Sequence, residues 1–290
     1  VVLDSRQKRP STKTAYLRAV QSFLDFAGAV PSHWTGHAVE RWRDALHRAG
    51  RKPRTVNAML SAVKFAAKRL HALDPRNPDF AAAAERFKVY PEKLRTPISV
   101  ADARRILDAI SEDTPRDLRD RALLILGFRT GLRRESLQRL AFEDIDFRAH
   151  RMTVVIKGGR RHVLAFDPEV GRALGAWATW LRRLGVASGR VFRALRSTVA
   201  RGGLAIGATL SPAAINQLVK QRAAAVGIPF HPHLMRHCFV SWAVSRGVSP
   251  AEIMRATGHR NMDMIALYTS LVPGDEAVGT KLPTLTRREE

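Results

Sequence analysis

Apolar residues recur at helical spacing through the first third of the chain. Between Thr12 and Ala27 they fall at Ala15, Ala19, Phe23 and Phe26, close to a 3.6-residue period. Thr35 can cap a helix that runs to about Ala49 and stops at Gly50. From Thr55 to Leu70, Val56, Leu60, Val63 and Leu70 form one stripe, and Lys64 and Lys68 lie four apart on another face. The pattern then changes. Ser99-Val-Ala-Asp102 reads as a capping box ahead of Ile106 and Ile110, and a further helix follows Pro115 through Leu123, Leu126 and Phe128. Met152 to Lys157 is rich in β-formers, Gly158-Gly159 interrupts it, and Arg160 to Phe166 resumes it: strand, turn, strand, hence a hairpin. Ser211-Pro212 and Ser249-Pro250-Ala-Glu252 each place a Ser cap and a first-turn Pro at a helix start. The predicted fold class is mainly α with a small antiparallel β-sheet (α+β).

Tyr90-Pro-Glu-Lys-Leu-Arg-Thr-Pro97 is polar and bracketed by prolines, so it marks the predicted boundary between a helical domain, 1–95, and a mixed domain, 96–290. At 290 residues the chain is long enough for two cores. Charge sharpens the division. The first 95 residues hold 19 Lys/Arg and 8 Asp/Glu, a net +11, about equal to the +12 of a second part twice as long. The whole chain is +23, which points to a polyanionic partner. Of the two obvious ones, nucleic acid is favoured over a membrane. No apolar run approaches the roughly 18 residues that span a bilayer, and no leader pattern opens the sequence. One cysteine, Cys238, excludes an internal disulfide and fits a reducing, cytoplasmic compartment.

Four segments of the second part could carry chemistry: Thr130-Gly-Leu-Arg133, Lys157 at the hairpin, His233-Leu-Met-Arg236-His237, and Gly258-His259 with Tyr268 nine residues on. Taken singly each has an ordinary structural explanation. As a set they are the types that handle a phosphodiester. Guanidiniums clamp phosphate oxygens, a Lys or His protonates a departing oxygen, and a Tyr hydroxyl attacks phosphorus. Tyr268 is the only tyrosine after residue 95. Three other readings stay open: a zinc site on His231, His233 and His237; a non-catalytic DNA-binding protein; and a type IB topoisomerase-like nicking-closing enzyme.

In its motifs and their order the chain resembles the tyrosine recombinase, or phage integrase, family over about residues 98–270. The looser match of Thr14-Ala-Tyr16 and Arg54-Thr-Val-Asn57 is to that family's helical core-binding domain. The resemblance implies site-specific breakage and rejoining of duplex DNA through a 3′-phosphotyrosine and a Holliday junction. Arg133 and Arg236 would hold the phosphate and Lys157 would act as general acid. His233 would assist the nucleophile, His259 would bond a non-bridging oxygen, and Tyr268 would attack. Candidate DNA contacts are Lys13, Arg54, Thr55, Asn57, Lys64 and Lys68 in the first domain, and Arg160 and Arg161 beside the hairpin. The implied assembly is a homotetramer on paired sites at the nucleoid, with its 271–290 tail docked on a neighbour and accessory DNA-bending proteins left open. No metal, cofactor or ATP is expected, and no G-x-x-x-x-G-K-[ST] loop occurs. Three positions depart from the family pattern. Ser136 stands where Glu is usual, Ile156 where Gly is common, and His162-Val-Leu-Ala165 where Arg-x-x-Pro is common.

Overall fold

Three helices build the first unit: α1 (Pro10–Ala27), α2 (Gly36–Arg48) and α3 (Pro53–Leu73). The structure is a computed structural model that describes residues 10–89, 96–156, 159–198 and 203–258. The Thr35 side chain accepts the Ala38 N–H at the start of α2, and Gly50, with φ of 80°, follows its end. Along α3, Val56 is buried, and Leu60, Val63 and Ala67 form a core with Phe23 of α1 and Trp42 of α2. Phe23 meets Trp42 edge-on and stacks on Phe80, which lies beyond α3. One expected stripe is shifted in phase. Ala19 and Phe23 are buried, but Ala15 is exposed and Phe26 is 43% exposed, while Val20, Leu24 and Ala27 pack on the core. Contact of α1 with α3 selects the face that turns inward, and the simple count of apolar residues does not.

The segment after α3 folds back over the three helices and is held by polar side chains. The Asn57 amide donates to Phe87 O at 2.8 Å and accepts the Phe87 N–H at 2.9 Å. Lys64 Nζ donates to Ala82 O, and Arg43 donates to Glu85 O with its guanidinium over the Phe87 ring.

The chain divides into two compact units, Val1–Lys93 and Leu94–Glu290. In the second, α4 (Val100–Asp108) is capped by Ser99, and α5 (Pro115–Thr130) by Thr114. Helix α5 is the central strut. Every residue from Ala122 to Phe128 is buried, as an apolar run on all faces requires. It packs on α7 (Pro168–Arg183) and α9 (Pro232–Ser245). Gly127 lets α9 approach closely, since a Cβ there would lie 2.5 Å from Met235 Sδ. Between these come the short α6 (Arg134–Arg139) and an antiparallel sheet in the order β1 (Ile145–Asp146), β2 (Arg151–Val155), β3 (Arg161–Ala165). Met152 pairs with Leu164, and both point into the core with Val154. A second hairpin, β4 (Arg193–Thr198) and β5 (Gly203–Thr209), precedes α8 (Pro212–Ala224), and α10 (Pro250–Thr257) follows α9. The expected capping box at Ser249–Glu252 is present in both directions.

An ion-pair network ties α5 to α8. Arg119 bonds the adjacent Asp120, and Arg222 reaches both Asp120 and Asp117 at 2.7 and 2.6 Å. Burial acts to raise Asp117, but the hydrogen bonds from Thr114 and Arg222 outweigh it and hold its carboxyl below the ordinary value. Cys238 is buried on α9, and desolvation pushes its thiol up to about 12. Among the described residues no helix is long and apolar enough to cross a membrane.

Candidate active site

Helix α5 ends just before Arg133, and Gly131 ends it. Its φ of 60° is left-handed, its N–H returns to Gly127 O, and a Cβ there would lie 2.7 Å from the Phe239 ring of α9. Leu132 is then buried, and Arg133 becomes the N-cap of α6, half-buried with an extended backbone. Desolvation lowers the Arg133 guanidinium from its usual value, and the Glu135 charge acts in the opposite sense.

Arg236 enters from α9 and is 4% exposed. Its Nη1 donates to Gly131 O at 2.9 Å and to Thr257 O at 3.1 Å. One guanidinium thus joins the turn that precedes Arg133 to the last residue of α10, next to Gly258. Burying a cation is unfavourable unless it is hydrogen-bonded, so these bonds also fix its position. His233 lies one turn earlier on α9, is exposed, and meets His237 edge-on with ring centroids 4.8 Å apart.

These side chains share a cleft of about 400 Å³ lined by Leu132, Arg133, Arg134, Glu135, Asn216, His231, Pro232, His233 and Arg236. The structure therefore brings Arg133, His233 and Arg236 together. Three polar liners, Arg134, Glu135 and Asn216, are absent from the sequence-based candidates, and His231 entered them only through the zinc reading. Glu135 and Arg134 pair at 2.8 Å; burial acts to raise the Glu135 carboxyl, and that bond with its neighbouring charges leaves it lowered. Asn216 sits on α8, and the Ser211-Pro212 signal that starts this helix carries no information about which face meets the cleft. Among the described residues no group of three or more His, Cys, Asp or Glu is arranged to hold a metal ion.

The β2–β3 hairpin meets the end of α10. Ile156 N–H bonds Arg160 O and Gly159 N–H bonds Ile156 O, which closes the base of the turn. Ile156 packs against Gly258, where a Cβ would lie 3.1 Å from Ile156 Cδ1. The larger residue at 156 is thus accommodated by the bare Gly258 backbone. Ser136, standing at the usual Glu position, donates its hydroxyl to Val155 O. Lys157, His259 and Tyr268 lie outside the described residues, as does the 271–290 tail.

Of the proposed DNA contacts, Arg54, Thr55, Lys68, Arg160 and Arg161 are exposed, with Arg161 3.7 Å from Asp144. Lys13 and Lys64 are half-buried, and Lys64 bonds Ala82 O. Asn57 departs most from its expected place. Its amide clasps the Phe87 backbone through both polar atoms and so holds the first unit's own loop.

Comparison with known proteins bears on the same residues. Positions 98–273 match the phage integrase family. The chain is 29% identical over 274 residues to tyrosine recombinase XerC of Xanthomonas campestris pv. campestris, covering 92% of this chain and 80% of that one. It is 30% identical over 270 residues to XerC of Chromohalobacter salexigens, covering 90% and 86%. In fold it is similar to a lambda integrase(75–356) dimer bound to a COC′ core site, with a TM-score of 0.67, 15% identity and coverage of 91% and 93%. It is also similar to XerH site-specific recombinase bound to difH substrate, with a TM-score of 0.67, 15% identity and coverage of 89% and 75%. The chain belongs to the phage integrase family and is a site-specific tyrosine recombinase, an enzyme that breaks and rejoins DNA.

Proposed function

We propose that this chain grips duplex DNA with both units, the first as a core-binding domain and the second as the catalytic domain, and exchanges strands as a homotetramer on paired sites through a Holliday junction. The observation that carries the reading is the Arg236 guanidinium, buried and fixed by Gly131 O and Thr257 O in the cleft that also holds Arg133 and His233. A guanidinium fixed before substrate arrives, with a second one lining the same cleft, can stabilise charge that builds on phosphate oxygens with little reorganisation. Tyr268 Oη forms a bond to phosphorus, and the bond to the 5′-oxygen breaks. The electron pair goes to that oxygen, which takes a proton from Lys157. His233 accepts the phenol proton, and His259 bonds a non-bridging oxygen. The product is a 3′-phosphotyrosine. Attack by a free 5′-hydroxyl reverses the step with no ATP or metal consumed. The working place of such an enzyme is the cytoplasm, at the nucleoid.

The test is covalent capture. Nicked suicide duplexes with a randomised central sequence are incubated with the full chain, and adducts that survive boiling in detergent are recovered and sequenced. A selected sequence with an adduct that disappears in Tyr268→Phe, while non-covalent binding persists, is the expected result. No adduct on any duplex, or an equal adduct in Tyr268→Phe, overturns the reading. Relaxation of plasmids lacking the selected site, with no two-site exchange, favours nicking-closing chemistry instead.

A further inference from the structure

Among the described residues of the second unit, four buried hydroxyls or guanidiniums have immediate explanations. Thr130 and Thr257 donate to Leu126 O and Ile253 O within their own helices. Arg119 pairs with its neighbour Asp120, and Arg236 serves the cleft. Ser136, 3% exposed, does something else. Its backbone N–H bonds Arg133 O at 2.8 Å, and its Oγ donates to Val155 O, also at 2.8 Å. One small residue therefore makes a two-bond bridge from the backbone of Arg133 to the last residue of β2.

What lies at the far end of that bridge gives it meaning. Val155 is followed by Ile156, whose N–H bonds Arg160 O and whose carbonyl accepts the Gly159 N–H, and Lys157 is the next residue in the sequence. The bonds of β2 to β3 lie within the hairpin and do not tie it to α6. The Ser136 bond crosses from the helix to the hairpin at the residue where it matters.

We infer that Ser136 is a positioning residue: through Val155 it sets the reach of Lys157 relative to the phosphate grip of Arg133. The inference rests on the reading of Lys157 as general acid given above. Loss of the hydroxyl leaves the part-buried Val155 O without this donor and removes a polar tie between helix and hairpin. General-acid catalysis is worth roughly 10²–10⁴-fold, and misplacement of a catalytic group by about 1 Å can cost about 10²-fold. The loss must fall on protonation of the 5′-oxygen.

That specificity can be read directly. The duplex recovered by covalent capture is prepared twice, with oxygen or with sulfur as the 5′-bridging atom at the cleaved phosphate. A thiolate leaves without needing a proton, so a defect confined to the acid vanishes on the sulfur duplex. Single-turnover cleavage by Ser136→Ala is expected to slow at least about 10-fold on oxygen and to stay within about 2-fold of wild type on sulfur. Ser136→Thr, which keeps the hydroxyl, should recover most of the oxygen rate. Ser136→Cys, which keeps the volume and weakens the donor, should show the same selectivity as Ala and stands in if Ala does not fold. Equal losses on both duplexes, no loss on either, or Thr no better than Ala would overturn the inference. Lys157→Ala is the control. If it is selective and Ser136→Ala is not, the Ser136 inference alone falls; if Lys157→Ala is not selective, the general-acid assignment falls and takes the inference with it.

Discussion

In the first unit the core around Phe23, Trp42 and Leu60 is apolar throughout its described residues, whereas the second unit buries Arg119, Asp120, Arg236 and three hydroxyls among Leu, Ile and Phe. The first unit nonetheless carries nearly the same net charge on half the length. Several of its polar side chains, Asn57 and Lys64 among them, hold the 82–87 backbone from the rim. Charge placed that way acts at long range and tolerates small displacements. The second unit pays several kcal/mol per buried ion and recovers it only where partners are fixed. The result is a guanidinium whose position is set before substrate arrives. On the proposed function, the contrast separates two tasks: attraction in the first unit and geometry in the second.

The sharpest way to break the comparison is to treat Arg236 as if it were a surface charge. Arg236→Ala should reduce single-turnover cleavage about 10³-fold by loss of a transition-state donor. It should also lower the urea midpoint, because Gly131 O and Thr257 O each lose a bond worth about 1–3 kcal/mol when buried and unmet. Arg236→Lys keeps the charge but has no planar fork to meet both carbonyls, so it should restore little of either. Full rescue by Lys would mean that charge alone suffices in this unit too. Asp120→Ala comes next. It leaves Arg119 without its buried carboxylate and removes one of the two that Arg222 bridges, and it should destabilise the chain by about 3–5 kcal/mol in chemical denaturation. A change below about 1 kcal/mol would place that network with ordinary surface pairs.

How much of this was legible in the sequence depends on how local the chemistry is. The caps at Thr35, Ser99, Ser211 and Ser249 each accept the expected backbone N–H, because a cap is decided within four residues. The first hairpin is equally local. Helix α7 is absent from the sequence reading although Asp167-Pro168 opens it with the same chemistry. The β4–β5 hairpin escapes notice because Arg, Gly and Ala interrupt its alternation. Phe26 was assigned to the core on its apolar character, and the packing of α1 on α3 decided otherwise. In the site, motif order singles out Arg133, His233 and Arg236, and the fold brings them to one cleft. Motif order could not reveal that Asn216 reaches the same cleft, or that Ser136 bonds Val155 nineteen positions away. Those are tertiary facts, and no period in the sequence encodes them.

The smallest effect tests the other side of the comparison. If the first unit works by surface charge, its exposed cations should register as released counterions. Each phosphate neutralised contributes about 0.9 to the slope of log K against log salt, and about ten contacts in all would give a slope near −9. Arg54 and Lys68 are exposed on α3. Replacing both by Ala should make the slope shallower by about 1.8 while leaving the denaturation midpoint nearly unchanged. Asn57→Ala should do the reverse. It removes two hydrogen bonds to Phe87, worth about 1 kcal/mol each, and changes no charge, so stability falls and the slope stays. Lys64→Ala should move both, because its ammonium bonds Ala82 O and still carries charge at a half-buried position. A slope unmoved by Arg54 and Lys68 together would show that the charge of this face lies off the DNA path. The attraction assigned to the first unit would then have to come from other cations.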